Sequence, residues 1–303
     1  VRNILKKTWT RSRQKSVWGI LFVLPCFLII FLFVIYPLFY TGYLSLSDYN
    51  FIYDRAPKFT GFSNYAKMFL DSDFVHAMKT TLFFAVLDFS LLMVISLAIA
   101  LLLFFCKRGT WLFRTAVFMP IVVPASLACI VFSWIFSENF GLLNYFLGTV
   151  LHLPALARPW LTQPGSAMSS ILVVNLWCNI GFETILFLSG LQSISGDVLE
   201  AADMDGAVGW KKLVYVILPN LKETYVVAGI WAIIAALKVF VEPMVMTNGG
   251  PGNATLVLYM YIYNNAFLYF NMGYASAIAF VLSGMILFFS LLNMKLNSEE
   301  AER

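Results

Sequence analysis

Charge is scarce in this chain. Asp, Glu, Lys and Arg make up 12% of the 303 residues and hydrophobic types 60%, a balance that a soluble domain of this length does not reach. Histidine is nearly missing: only His76 and His152 occur, both outside the long apolar runs, so proton relays by intramembrane histidine have no material. Cys26, Cys106, Cys129 and Cys178 lie in or beside apolar segments with no metal-like spacing, and read as small buried hydrophobes. No G-x-x-x-x-G-K-[ST] loop is present to cradle nucleotide phosphates. There is also no G-x-S-x-G elbow, no H-E-x-x-H helix and no set of acids facing a His. The net charge of +4 comes from basic residues dispersed at the edges of apolar runs, which is no footprint for nucleic acid. These absences argue against a self-contained ATPase, a metalloenzyme and a common hydrolase, and leave a polytopic membrane protein.

What is present is a series of apolar runs with charge between them. Residues 1–16 carry Arg2, Lys6, Lys7, Arg11, Arg13 and Lys15 and no acid. The apolar run at 17–40 is too long for a signal-peptide core and lacks a small-residue cleavage site, so it reads as a retained span. Further spans are expected at 80–105, 115–136, 167–191, 224–247 and 272–293. Pro120 and Pro124 place a kink in the third. Residues 41–78 form a polar-aromatic outer loop, and 137–166 an outer segment along the membrane surface. Residues 255–270 are aromatic but broken by Asn264 and Asn265. Their uninterrupted piece, 256–263, spans only about 12 Å as a helix against a core of roughly 30 Å, so an interfacial or re-entrant helix is expected. In the last span Gly273, Ala275, Ser276, Ala277 and Ala279 suit close helix contact.

Charge parity sets the orientation. The N-terminal basic residues, Lys107, Arg108, Arg114, Lys211, Lys212, Lys222, Lys295 and Arg303 fall on one side. Arg55, Lys58, Lys67, Lys79 and Arg158 fall on the other, and the excess marks the cytoplasm. The expected fold is all-α, six transmembrane helices with both termini cytoplasmic. Its parts are a basic N-terminus (1–16), a first helix with outer loop (17–79), a core of five helices (80–293) and a tail (294–303).

Within the core, residues 194–222 form a polar island. Asp197 is placed to cap a short helix, with Glu200 completing a capping box. Asp205-Gly206 allows a turn through the left-handed region. Trp210, Leu213, Val214 and Ile217 then share a face, with Lys211 and Lys212 opposite, until Pro219 stops the helix. A first helix of about eight residues is marginal alone and must dock on something.

Glu200-Ala201-Ala202, Asp205-Gly206-Ala207 and Leu218-Pro219, in this order and at these distances, resemble the EAA loop of ABC-importer permease subunits. Leu213 stands where Phe is common and Val216 where Ile is common. Thr247-Asn248-Gly249-Gly250-Pro251, followed by Thr255, Leu258, Tyr261, Ile262, Tyr263, Ala266 and Phe267, is similar to the maltose-type branch of sugar-importer permeases. So is the stretch 186–193, although Ser195 replaces the usual Pro. The resemblance covers residues 80–295 and is firmest from 171 onward. It implies a type I importer permease in a bacterial cytoplasmic (inner) membrane. The implied partners are a homologous second permease, two ATPase subunits that bind ATP and Mg, an extracytoplasmic solute-binding protein, sugar cargo and membrane lipid, with no nucleic acid. This chain would bind no cofactor or metal and catalyse nothing. Its coupling loop would sit in a cleft of an ATPase, and alternating access would follow.

Polar residues inside spans face bundle interiors or cavities. Asn175, Asn179 and Glu183 recur at i, i+4 and i+8, a stripe that suits interhelical hydrogen bonds or cargo equally. The resemblance places a sugar-contacting turn on Asn175, Cys178, Asn179 and Phe182, and a facing set on Ala232, Ala235 and Ala236. There this sequence departs from relatives with polar or aromatic side chains, so a wider cavity for oligosaccharides is expected. Lys238 and Glu242, four apart, read as a local ion pair, or Lys238 as a receptor for an acidic sugar. Asp88 reads as structural. The competing classes are an ABC permease for a non-sugar or phosphorylated solute, and a secondary transporter, whose ion site and inverted repeats are not legible.

Overall fold

The computed structural model describes residues 2–106 and 109–299. Lys107, Arg108 and Arg303 of the charge count lie outside the described residues, as do the side chains of residues 2–15. The chain opens with α1 (Arg2–Ile30), a wide π turn (Phe31–Ile35) and α2 (Tyr36–Ser45). The apolar window of Ser16–Ser45 buries none of its residues inside the chain, the condition of a helix hydrophobic all round and solvated by lipid. A two-stranded antiparallel ribbon follows, β1 (Ser47–Asp48) with β2 (Lys58–Phe59), pairing Ser47 with Phe59. Next come α3 (Ser63–Leu70) and α4 (Ser72–Phe105), then α5 (Thr110–Val122), α6 (Ala125–Ile135) and α7 (Leu142–Tyr145). The longest core helix after α4 is α8 (Pro164–Ser193). The polar island at 194–222 holds α9 (Gly196–Met204), α10 (Trp210–Lys212) and α11 (Leu218–Asn220). The chain ends with α12 (Lys222–Leu237), α13 (Val241–Met246), α14 (Leu258–Tyr263) and α15 (Met272–Glu299).

The pairing of α4 with α8 is the spine of the bundle. Ala77, Thr81, Phe84, Asp88, Leu92, Ser96, Ala100 and Leu103 are all buried on α4, three or four residues apart, which is one face of a helix. From α8 they meet Ile171, Val174, Phe187 and Leu191. Gly181 lets α5 close on α8, since a Cβ there would stand 2.6 Å from the Val117 carbonyl oxygen. Nearer the cytoplasm, Ile217 and Leu221 plug the coupling region onto Phe187 and Leu191.

Two expected spans take a different form. Among the described residues five helices are long and apolar enough to cross a membrane, and a sixth span at 115–136 exists if α5 and α6, at 102° to each other, make one broken span. A kink understates that fold. Pro124 forces the residue before it out of the helical region, and Val123 is extended (φ −81°, ψ 123°). The span Lys222–Met246 is continuous in direction but interrupted after Leu237. Pro243 supplies no N–H for the Val239 carbonyl, and its ring crowds that residue.

At the outer end one carboxylate ties three helices. Asp71 Oδ1 caps α4 by accepting from the Asp73 and Phe74 amides (3.0 and 3.3 Å). Its Oδ2 accepts from the Tyr261 and Tyr274 hydroxyls, both at 2.6 Å, and Lys67 of α3 lies 4.6 Å over the Tyr274 ring. Burial raises the Asp71 pKa, but the bonds from Tyr261, Tyr274 and the two amides outweigh it, and the carboxyl sits below its ordinary 3.8. A depressed pKa contributes stability above the unfolded value and loses it as pH falls through the folded one. Thermal unfolding in detergent should therefore weaken as pH drops from about 5 toward 2, and Asp71→Asn should flatten that slope. An unchanged slope would refute the assignment.

Candidate functional site

The first candidate region is the coupling loop. α9 begins at Gly196 and is capped by Ser195, whose Oγ accepts from the Val198 amide at 3.4 Å. This corrects the capping box expected of Asp197 and Glu200. Gly196 is already helical, so Asp197 falls in the first turn, where its charge suits the helix dipole. Glu200 and Ala201 are exposed, while Ala202 is buried and its carbonyl accepts from the Ala207 amide at 2.9 Å. Asp205 ends α9, and Gly206 turns the chain at φ +74°. Lys212 Nζ reaches both Asp203 oxygens at 2.8 Å and pins α10 to α9, a pair that spacing alone does not announce.

Trp210 leaves the face expected for it and is 74% exposed, although Ile217 is buried and Leu213 and Val214 half-buried. The π turn Leu213–Ile217 carries an extra residue and rotates the helix faces out of register. Pro219 does not end the helix either. It sits in the first turn of α11, where a missing N–H is harmless, and the chain turns at Leu221. Leu218 is half-buried and Pro219 exposed.

The second region is the outer turn. Asn248, Gly249, Gly252 and Asn253 have positive φ, which folds 247–253 back on itself. The Thr247 and Thr255 hydroxyls share a 2.7 Å bond, and Thr255 Oγ1 donates to the Gly250 carbonyl at 2.8 Å. Pro251 and Gly250 open onto a recess against Phe136 and Trp160. The short helix expected after this turn is α14. Its first amide, Leu258 N, donates to Thr81 Oγ1 of α4 at 2.7 Å.

The third region is a cavity of about 410 Å³ between α8, α12, α13 and α14. Asn175 and Asn179 line it from α8, Trp231, Ala235 and Lys238 from α12 and its end, Glu242 from α13 and Tyr259 from α14. The two asparagines divide the work. Asn175 Nδ2 donates to Asp88 Oδ1 at 2.8 Å, an interhelical bond in the buried spine. Asn179 Nδ2 donates back to the Asn175 carbonyl and Oδ1 (2.9 and 3.2 Å). The amide nitrogens of both residues are thus engaged within the chain, which leaves the carbonyl oxygen as what the half-buried Asn179 has to offer the cavity it lines. Phe182 is half-buried and supports the Trp231 ring, 4.5 Å away between centroids.

Other expected positions fall elsewhere. Cys178 packs against the core beside the cavity wall. Glu183 is fully buried, outside the cavity, and neither carboxylate oxygen has a partner among the described residues. Ala232 and Ala236 are buried in helix packing, and only Ala235 reaches the cavity. Counting from Pro219 carries the helix phase across the turn at Leu221. The face that meets the cavity is Trp231, Ala235 and Lys238, at i, i+4 and i+7. The indole of Trp231 therefore stands beside Ala235 where Ala232 and Ala236 were expected. Lys238 and Glu242 form no ion pair among the described residues. Lys238 caps the end of α12 and is exposed, whereas Glu242 is buried in the first turn of α13, beyond the interruption.

A mostly α-helical polytopic bundle with a broken span, a polar-aromatic cavity between its helices and a short exposed acidic helix has the parts of a transport permease. Residues 92–298 match the model of the binding-protein-dependent transport system inner membrane component family, and the chain belongs to that family. It is a multi-pass inner-membrane protein. It is 32% identical over 286 residues to the trehalose/maltose transport system permease protein MalF of Thermococcus litoralis, covering 93% of this chain and 94% of that one. It is 32% identical over 279 residues to the sulfoquinovosyl glycerol transport system permease protein SmoG of Agrobacterium fabrum, covering 90% and 89%. Its fold matches a chain of a bacterial ABC transporter involved in the import of the acidic polysaccharide alginate, with a TM-score of 0.81 over 97% of this chain and 99% of that one at 20% identity.

Proposed function

We propose that this chain is the permease subunit of an ATP-driven importer of acidic oligosaccharides. The observation that carries the reading is the make-up of the cavity. The Asn179 carbonyl accepts from a sugar hydroxyl, the Trp231 ring backed by Phe182 takes an apolar sugar face, and the unpaired Lys238 takes an acidic substituent. The relatives named for trehalose/maltose and sulfoquinovosyl glycerol support sugars as the class. A homologous permease completes the pathway, and a solute-binding protein delivers cargo at the Gly249-Gly250-Pro251 end. Two ATPase subunits hold ATP and Mg, and α9 docks on one of them. This chain performs no chemistry. ATP binding closes the ATPases, α9 moves with its subunit, and the cavity changes the side to which it opens. A phosphorylated small solute would meet Lys238 too, but leaves the Trp231 platform unused.

The test is uptake by the reconstituted assembly of neutral and acidic oligosaccharides matched in length. Lys238→Ala should cut uptake of the acidic series about 10-fold or more, the worth of a charged hydrogen bond at about 1.5–3 kcal/mol, and leave the neutral series within about 2-fold. Equal losses in both series would overturn the acidic cargo. Transport of phosphorylated polyols alone would replace sugars with that class.

A further inference from the structure

A second cavity, about 720 Å³, adjoins the first and shares Ile234, Lys238, Phe240 and Tyr259 with it. Both volumes lie in the range of roughly 300–1,000 Å³ usual for ligand sites. Beyond the shared wall the second cavity is lined on one side by Tyr263 and Phe267 and on the other by the small residues Ala279 and Ser283 of α15. Its aromatic wall is continuous. Tyr259 and Phe240 lie 5.2 Å apart between centroids, Phe240 and Tyr263 5.4 Å, and Tyr263 and Phe267 5.2 Å. Tyr259, Tyr263 and Phe267 recur every fourth residue along α14 and the π turn Asn264–Leu268, so one helical face supplies three rungs of the ladder.

We infer that this second cavity is a further sugar subsite, which holds the residues of an anionic oligosaccharide beyond the one seated at Asn179 and Trp231. The inference rests on the cargo class proposed above. Three observations favour it. The ring spacing is comparable to the length of a pyranose, so successive sugars find successive faces. Lys238 is the only charged side chain on the wall of the second cavity. In the first cavity it is opposed by Glu242, with Asp88 behind Asn175, so a sugar carboxylate meets less repulsion when it approaches Lys238 from the second side. Finally, an unpaired Lys beside two tyrosines would be a costly surface to bury against an apolar helix, whereas a polyhydroxylated acid satisfies it. Small residues opposite the ladder leave room for a chain of rings to lie flat.

The experiment uses the complete assembly in lipid, with neutral and uronic acid oligomers of two to five residues as probes. Phe267→Ala and Tyr263→Ala should lower uptake of the pentameric uronate about 10-fold, the order expected for loss of an aromatic stacking contact, and leave the dimer within about 2-fold. A second measurement guards against misfolding. On a background of Cys26→Ala, Cys106→Ala, Cys129→Ala and Cys178→Ala, the thiol of Phe267→Cys should be protected from a small maleimide by the pentamer and unprotected by the dimer. Losses that are the same for every length would overturn the subsite. So would a thiol that is shielded from the maleimide by the second permease with no sugar present, since the ladder would then be a subunit contact. If the unsubstituted assembly imports no sugar of any length, the cargo reading itself fails. If it imports sugars while the variants show no dependence on length, the second subsite alone fails.

Discussion

Glu200→Lys should abolish sugar uptake while leaving the permease folded and inserted. Glu200 is exposed on α9 and no partner engages it among the described residues. Substitution at such a site changes folding stability by roughly 0.5 kcal/mol or less. The helix around it is nonetheless built to a fixed shape. Ser195 caps it, Gly206 ends it, and Lys212 clamps Asp203 so that α9 and the following turn move as a unit. Met204 one turn on, 88% exposed, and Val208 and Trp210 in the following turn are large apolar side chains left open, the kind of surface that a partner covers. A charge reversed inside such an interface costs about 2–5 kcal/mol, which corresponds to at least a 30-fold loss of coupled turnover. Glu200→Gln should lose less, because it leaves no repulsive charge. The measurement is uptake together with cargo-stimulated ATPase in the reconstituted assembly, with membrane yield as the control. Normal uptake by the Lys variant would remove α9 from the coupling path.

The sequence exposes those features that composition and spacing control. Spans are legible because a window of apolar residues has few other uses, and the polar loop at 194–222 because Glu200, Asp205 and Gly206 interrupt such windows. Helix phase is less legible. The turn at Leu221 shifts the phase of the helix after it, so that Ala235 and Lys238 line the cavity as expected, Trp231 joins them unforeseen, and Ala232 and Ala236 turn into the helix packing. The same applies to Trp210, turned out by the wide turn at 213–217. Pro243 was the available signal for the interruption near Lys238, since a proline three residues into α13 denies a partner to the Val239 carbonyl. Pro124 was the signal for the 102° fold between α5 and α6, but proline alone gives no angle. Ser195 was legible as a cap, with its hydroxyl three residues before the Val198 amide, and was hidden by the more conspicuous Asp197. The Asp71 node joins residues about 200 positions apart in sequence and had no local trace. Nor did the aromatic ladder, because Phe240 meets Tyr263 only after the outer turn has brought α14 back against the break between α12 and α13.

A large loss of stability should come from Gly273→Ala, a single methyl at the start of α15. A Cβ there would lie 2.1 Å from the Ser47 carbonyl oxygen and 3.1 Å from the Tyr49 amide nitrogen. Both neighbours are backbone, so no rotamer change relieves the clash. That carbonyl is also in use, since it accepts from Asn64 Nδ2 at 2.9 Å. The surrounding loop is tied to the same helix end by the Gly273 amide bonding Tyr49 O at 3.2 Å and the Phe51 amide bonding Phe270 O at 3.0 Å. A methyl must therefore push the ribbon after α2 away from α15 and break several of these bonds together. Overpacking a well-filled site costs about 1–3 kcal/mol, and the upper end applies where the obstacle is main chain. Gly284→Ala, on the same helix with nothing within 4 Å of its Cβ position, supplies the control, and helix propensity there favours Ala by up to about 1 kcal/mol. Thermal unfolding in detergent should thus separate the two variants in opposite directions from the parent. The consequence reaches function, because residue 274 is the tyrosine that holds Asp71, and displacing the start of α15 loosens the outer end where α14 and its ladder are anchored. Equal stability of the two variants would mean that the ribbon yields freely and does not hold α15 in place.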